Sequence, residues 1–331
     1  MKALVTGGNG FLGSAIVRML HARGDNVAIL CRTRYDHIAP CVSRVFQADL
    51  RNPQAVRAAC QGVDVVFHVA ALTGIWGPRR EFHSINVEGA RNVIDACLAN
   101  GVTKLVYTSS PSVVFGREEL CGVDESQPYP DRYLAAYPES KAAAERLVLE
   151  ANDASLATVA LRPHLIWGPG DPHLMPRVIQ RAREGKLLQV GDGTNLVDIT
   201  YIDNAAEAHL LAADALRPGA PCAGRAYFIS QGEPVSLWPW LNQILAAVDA
   251  PTAVRRISFS AAYSVGALLE AAYCLVGARS EPRMTRFLAC QLAKSHYFNI
   301  TAARRELGYK PRISTQEGIE RFLSGCSAPV A

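Results

Sequence analysis

Tyr137 and Lys141 stand four residues apart, so on a helix they share one face. A free tyrosine titrates near pH 10, too high for efficient proton exchange at neutral pH. A nearby lysine cation favours the phenolate and moves that value toward the useful range. Ser110, which closes Tyr107-Thr108-Ser109-Ser110, could donate a hydrogen bond to a substrate oxygen whose charge changes during hydride transfer. Tyrosine–lysine pairs at this spacing also arise by chance in helices. Meaning comes from order along the chain: a glycine-rich opening, hydroxyls at a strand end, then the pair.

The opening is Lys2-Ala3-Leu4-Val5, then Thr6-Gly7-Gly8-Asn9-Gly10-Phe11-Leu12-Gly13. A buried strand, a tight glycine turn and a helix that starts inside the glycines form a phosphate cradle. Gly7 suits the turn. Gly10 lets main-chain amides approach a pyrophosphate, and Gly13 lets the helix pack on the strand. The helix N-terminus then offers free N–H groups and a positive dipole end. An ordinary glycine-rich turn would lack the strand before and the helix after, so the pattern predicts dinucleotide binding, with Asn9, Phe11 and Leu12 in the same turn. A second strand, residues 26–31, runs into Arg32-Thr33-Arg34. NAD-specific units carry an acid near this strand end, on the ribose 2′-OH. Arg32 and Arg34 stand there instead, and guanidinium binds phosphate bidentately. That points to NADP(H); a solvated basic loop is the simpler alternative.

A third strand at residues 42–48 ends in Asp49-Leu50, where a carboxylate could reach the adenine amino group. A short helix covers residues 53–60, and a fourth strand, residues 64–69, ends in His68-Val69-Ala70-Ala71. Ala70 and Ala71 are small enough for a flat cofactor to lie on the backbone, whereas His68 reads as a hydrogen-bonded core histidine. The loop at residues 72–78 carries Trp76, a candidate substrate contact, and leads to a long helix from about Arg79 to Ala99, ended by Gly101. After the fifth strand, residues 104–108, a polar loop precedes Tyr137 and a helix over residues 142–151, with Pro138 tolerated in its first turn. Alternating strands and helices predict an α/β fold: a Rossmann-type doubly wound parallel sheet with ligands beyond the carboxyl strand ends.

The 331 residues suffice for one large or two joined domains. With 34 basic and 30 acidic side chains the charge is too balanced to argue for nucleic acid. Nine cysteines without a CxxC, mostly in apolar runs, read as buried thiols in a reducing compartment. No metal-ligand spacing stands out. The chain starts on a structural strand, so a cytoplasmic protein is expected.

With those residues placed, the chain resembles the extended short-chain dehydrogenase/reductases along essentially its whole length. The glycine opening, Asp49-Leu50, Ala70-Ala71, Asn86-Val87-Glu88-Gly89, Tyr107–Ser110, Tyr137–Lys141, Leu161-Arg162-Pro163, Trp167–Asp171 and Tyr201–Asn204 carry the likeness. The resemblance implies Ser110 as catalytic serine, Tyr137 as proton donor, Lys141 as activating cation that also holds the nicotinamide ribose, and Pro163 beside the cofactor. Within the family the chain looks like the 3β-hydroxysteroid dehydrogenase-like branch. It is most similar there to bacterial 2-alkyl-3-oxoalkanoate reductases of long-chain olefin and β-lactone pathways, on residues 149–158, 165–171 and 225–230. That implies NADPH-dependent reduction of a lipophilic β-keto acid. A hydroxysteroid dehydrogenase is the runner-up and a sugar-nucleotide epimerase comes third. A nucleotide-sensing binding protein would usually have lost the tyrosine–lysine pair, which is intact. A substrate carboxylate would favour a cation near the carbonyl; His164, just after Pro163, is the candidate, with a structural role as the alternative.

The expected division places residues 1–168 in the nucleotide-binding domain, with a return segment at about 196–230. Residues 169–195 and 231–331 would form a smaller, mostly helical substrate-binding region. The reading there is a helix at 176–185, a short strand at 187–191, a helix at 203–216 and a strand at 226–230. From about Ser236 the pattern is mainly helical, with a final turn at Gly308-Tyr309-Lys310-Pro311. Residues 257–278 are strongly apolar, but Glu270 interrupts the roughly 20 apolar residues a membrane span needs. A lid or core helix is the preferred reading, and weak peripheral membrane contact the other. Formation of a homodimer or assembly with pathway enzymes stays open.

Overall fold

A computed structural model describes residues 1–33 and 36–327. In chain order come β1 (Lys2–Thr6), α1 (Phe11–Ala22), β2 (Asn26–Cys31), β3 (Arg44–Gln47), α2 (Pro53–Ala59) and β4 (Val65–His68). Then follow α3 (Arg79–Phe82), α4 (Gly89–Asn100), β5 (Lys104–Thr108), β6 (Leu120–Val123), α5 (Ala136–Glu150) and β7 (Ala157–Pro163). The second half adds β8 (Ile166–Trp167), α6 (Leu174–Arg183), β9 (Gln189–Val190), β10 (Leu196–Val197), β11 (Thr200–Tyr201), α7 (Ile202–Ala215) and β12 (Arg225–Ile229). Last are β13 (Val235–Ser236), α8 (Leu237–Ala247), β14 (Arg256–Ile257), α9 (Phe259–Leu275), α10 (Arg286–Ala293), β15 (His296–Phe298), α11 (Thr301–Leu307) and α12 (Thr315–Ser327).

Seven strands form one sheet in the order β12-β7-β5-β4-β1-β2-β3, and every pairing is parallel. Successive strand residues face opposite sides. Val5 and Phe67 accordingly join one apolar core, with Ile16 and Leu20 of α1, while Leu4 and Val66 join another, with Val93 and Cys97 of α4. Helices on both faces explain why β4 and β7 are buried along their whole length. This is the doubly wound Rossmann-type sheet. The chain runs outward from β1 through β2 and β3, then crosses to β4 on the other side of β1. That reversal parts the loops and opens a crevice beyond the carboxyl strand ends.

The long helix after β4 contains an insertion the apolar pattern does not reveal. Residues His83–Glu88 wind as a π-turn between α3 and α4. The wider turn presents Asn86, whose Nδ2 donates to the Leu72 carbonyl at 3.1 Å and to Ser140 Oγ at 2.9 Å, while its Oδ1 accepts from the Leu72 amide at 2.7 Å. One side chain thereby fastens the loop after β4 to α5. Helix α5 is anchored from its other end by Glu145, buried with Arg162 of β7 (Nη2–Oε1 2.6 Å, Nε–Oε2 3.0 Å) and accepting from the Tyr129 hydroxyl at 2.6 Å.

The C-terminal region is mainly helical, as expected, but it also contributes short strands that the pattern did not show. Strands β13, β10, β15 and β6 make a second sheet, so a piece from the first half (β6) pairs with one near the end (β15). The turn at residues 308–311 is followed by α12, whose Phe322 packs near the Trp167 ring. Helix α9 is no core helix: of its residues only Ala262, Gly266 and Glu270 are buried. Among the described residues no helix is long and apolar enough to cross a membrane. Of the described cysteines, Cys31, Cys60, Cys97, Cys222 and Cys290 are buried, but Cys121 and Cys274 are exposed.

Candidate active site

The turn between β1 and α1 is held by contacts that a side chain would break. Gly7 has φ +67° and donates its amide to Leu30 O at 2.7 Å; a Cβ there would sit 2.9 Å from Ala70 Cα. A Cβ on Gly13 would lie 2.1 Å from the Gly7 carbonyl oxygen, which is the close helix–strand approach in numbers. Gly10 differs, for a Cβ would meet only Gly7 O at 3.2 Å and otherwise project into open space. Gly10 begins α1 without a side-chain cap, and no acid occupies the first turn. Bare amides and a positive dipole end thus meet a space that a Cβ would fill.

That space is a cavity of about 480 Å³ lined by Gly7, Asn9, Gly10, Phe11, Leu12 and Gly13 at one end and by Ser110, Tyr137, Lys141 and Pro163 at the other. Arg32, Asp49, Leu50, Ala70 and Ala71 lie on the wall between. Asn9 ties the turn to the basic loop, donating to Thr33 O at 2.9 Å. Arg34 lies outside the described residues. Hydrogen bonds from Arg51 hold the Asp49 carboxyl down at about 2, with the Arg32 charge adding to them. Thr6 Oγ1 accepts the Val69 and Ala70 amides at 3.2 Å each and pairs with His68 Nδ1 at 2.8 Å. Burial pushes His68 down to about 3, so it is the neutral core histidine its position suggested. Glycine cradle, basic strand end and small-residue floor together fit an anionic dinucleotide.

Ser110 has extended backbone and caps the short turn after β5; its Oγ accepts from Ser112 N at 3.2 Å and from Ser112 Oγ at 2.9 Å. With acceptor sites so used, its own O–H is left to donate. Burial pushes the Tyr137 phenol up to about 12, and hydrogen bonding with Ser110 works in the opposite direction. Lys141 is buried; that lowers it to about 7, and Glu145 opposes the shift. Its Nζ donates to Thr108 O at 2.6 Å and lies 4.1 Å from the Tyr107 ring centroid. The expected dominance of the lysine over the tyrosine is therefore not seen. Burial dominates both groups.

A second cavity, of about 340 Å³, adjoins Ser110 and Tyr137. Ile75, Phe115, Leu165, Phe287 and Phe298 give it apolar walls, and His164, His173, Gln291 and His296 are its imidazoles and amide. His164 Nε2 is 2.6 Å from His296 Nδ1, and His296 Nε2 is 2.9 Å from the Gln291 carbonyl. A carbonyl only accepts, so His296 Nε2 carries the proton and its Nδ1 accepts from His164 Nε2–H. The neutral tautomer of His164 then keeps a lone pair on Nδ1. Burial pushes His296 down to about 4 and His164 well below its ordinary range.

Trp76 corrects an expectation. It lines neither cavity; its Nε1 donates to Ala278 O at 3.0 Å and its ring meets Tyr273 edge-on. An isolated loop aromatic reads alike as a substrate contact or a clasp, and here it clasps the loop to α9. His296, Gln291 and Phe298 were not foreseen, because they sit on or beside a three-residue strand in a stretch without a motif.

Comparison with known proteins agrees with this geometry. The model of the 3-beta hydroxysteroid dehydrogenase/isomerase family matches residues 4–259. A 2-alkyl-3-oxoalkanoate reductase of Stenotrophomonas maltophilia is 51% identical over 99% of this chain and 100% of that protein. A mouse sterol-4-alpha-carboxylate 3-dehydrogenase, decarboxylating, is 35% identical over 97% of this chain and 90% of its own length. Among solved structures, MoeE5 in complex with UDP-glucose and NAD superposes with TM-score 0.75 at 26% identity, covering 98% of each chain. Glycine cradle, Tyr137–Lys141 helix and full-length likeness lead to one assignment: the chain belongs to the 3-beta hydroxysteroid dehydrogenase/isomerase family.

Proposed function

We propose that the chain uses NADPH to reduce a lipophilic 2-alkyl-3-oxoalkanoic acid to the 2-alkyl-3-hydroxyalkanoic acid, in the cytoplasm, as a step of long-chain olefin or β-lactone biosynthesis. The observation that carries this reading is the second cavity: Tyr137 and Ser110 line an apolar pocket that also holds a buried histidine pair. The names of the two relatives share one chemical feature. A 2-alkyl-3-oxoalkanoate has its carboxylate two carbons from the oxo carbon, and a sterol-4-carboxylate has one on the carbon beside C3. A hydroxysteroid dehydrogenase is the second reading, supported by the sterol relatives. Arg32 stands directly after β2, where an NAD-specific unit would carry an acid, and lines the cavity; that supports the phosphorylated dinucleotide.

The bound dinucleotide would supply the hydride. Tyr137 gives its phenolic proton to the carbonyl oxygen as that oxygen gains charge, and Ser110 donates a hydrogen bond to the same atom. Lys141, one helical turn from Tyr137 and held against Thr108, would as a cation favour the phenolate left behind. His164 receives the carboxylate: its free Nδ1 takes up a proton and becomes the donor, with the positive charge shared toward His296. His164→Gln should therefore raise KM for the 3-oxo acid at least about tenfold, the scale of one charged hydrogen bond, and leave the methyl ester of that acid nearly unchanged. Equal effects on acid and ester would refute the carboxylate site.

A further inference from the structure

The described residues include seven exposed large apolar side chains, and five of them (Val254, Val265, Leu268, Leu275 and Val276) lie within 23 consecutive residues. Leu268 is 71% exposed, Leu275 89% and Val276 74%. On α9 the spacing of Val265, Leu268, Ala272 and Leu275 makes one stripe, so the outward face of this helix is the apolar one. Its inward face holds Gly266, where a Cβ would lie 2.6 Å from the Thr285 backbone, and Glu270, bound to the Arg286 amide and Nε at 2.7 Å each. The helix is thus firmly seated with its greasy side outward. Single exposed apolar residues need no explanation, but a contiguous patch does.

Charge indicates what covers it. Residues 174–187 and 251–294 carry ten basic and three acidic side chains, whereas the rest of the chain carries 24 and 27. Arg255 and Arg256 precede α9 and Arg279 and Arg283 follow it, all exposed. All three acids are engaged: Glu184 with Lys186, Glu270 with Arg286 and Glu281 with Arg177. Arg181 is held below its ordinary range by burial and by the neighbouring Arg177 and Arg283, a sign of crowded positive charge. A second copy docking face to face would bring these arginines against their own kind. An anionic lipid surface would meet both the stripe and its arginine borders favourably.

We propose that α9 is a docking face for an anionic membrane surface, on which the helix lies flat with its apolar stripe among the acyl chains. The face adjoins the substrate cavity. Trp76 bonds to Ala278 just past α9, and the loop before it supplies Thr73, Gly74 and Ile75 to the cavity wall; α10, against which Gly266 packs, supplies Phe287 and Gln291. A lipophilic substrate would leave the bilayer close to where it reacts. Docking on the lipid is independent of the substrate reading: binding is read by sedimentation, and turnover serves only as a control.

The test is sedimentation of the full chain with vesicles of phosphatidylcholine alone or mixed with phosphatidylglycerol. Binding should require the anionic lipid and fall as salt rises. Leu268→Glu/Leu275→Glu should lose at least about tenfold in partitioning. Arg255→Ala/Arg256→Ala should lose about fivefold per arginine on anionic vesicles only. Reduction of a short, water-soluble 3-oxo acid should be unaltered in both variants, since neither touches the catalytic residues. Absence of wild-type binding to either vesicle would overturn the proposal, as would binding that both variants retain. A wild-type dimer in light scattering that Leu268→Glu/Leu275→Glu converts to monomer would also overturn it, assigning the face to a second copy.

Discussion

Tyr137 is protonated across the neutral range because burial pushes its phenol up to about 12, which is the form that the proposed reduction needs. Tyr137→Phe keeps the ring and loses the proton; kcat should fall at least ~10²-fold with dinucleotide affinity little changed, as read by steady-state kinetics beside fluorescence titration. Turnover within a few-fold of wild type would remove Tyr137 from its role. Lys141 adds a stability signature. Folded, it sits at about 7, displaced from 10.5 by burial, whereas the unfolded chain holds that proton until near 10. Between those values the unfolded state binds more protons, so stability of the free protein should rise with pH from about 7 to 10. Lys141→Met should flatten that rise in the urea midpoint and remove activity together; an unchanged slope would contradict the burial argument. That Ser110, Tyr137 and Lys141 come together on one cavity was legible from order and spacing, because chemistry limits the residue types that serve. Trp76 and His296 were not, since a clasp and a buried relay can be built from many residues at many places.

At the scale of elements, the strand–turn–helix opening was legible because it combines periodicity with glycines that packing requires at Gly7 and Gly13. The π-turn at His83–Glu88 was not, because one extra residue in a turn scarcely disturbs a pattern of apolar positions. Two-residue strands such as β10 and β13 are too short to show alternation, so the second sheet stayed hidden in a helical background. The apolar period of α9 foretold a helix and could not tell which face is covered. The element that positions the chemistry is α5, and Glu145–Arg162 is its buried anchor, at most 4% exposed on either side chain. Arg162→Leu leaves the Glu145 carboxylate without its partner, a loss of about 3–5 kcal/mol. The guanidinium denaturation midpoint should drop accordingly. A change below about 0.5 kcal/mol, the usual range for surface substitutions, would show that the pair does not hold the helix.

For the whole molecule, the parallel sheet brings both cavities to one edge, at the carboxyl ends of β1, β4, β5 and β7, so that both open onto Ser110 and Tyr137. The parallel, doubly wound character of the sheet followed from the alternation of strands and helices; the shape of the second cavity did not, since it draws on β15, α10 and the loop after β4 together. The most direct test is the initial rate of NADPH oxidation with 2-alkyl-3-oxoalkanoic acids of increasing chain length, set beside NADH, a 3-oxosteroid and a nucleotide sugar. Each buried methylene contributes up to about 0.8 kcal/mol, so kcat/KM should climb about fourfold per carbon until the pocket is full and then level off. NADPH should surpass NADH by about tenfold or more, the scale of one arginine–phosphate bond. A flat series, equal use of the two dinucleotides, or faster turnover of the steroid or the sugar than of any 2-alkyl-3-oxo acid would contradict the account.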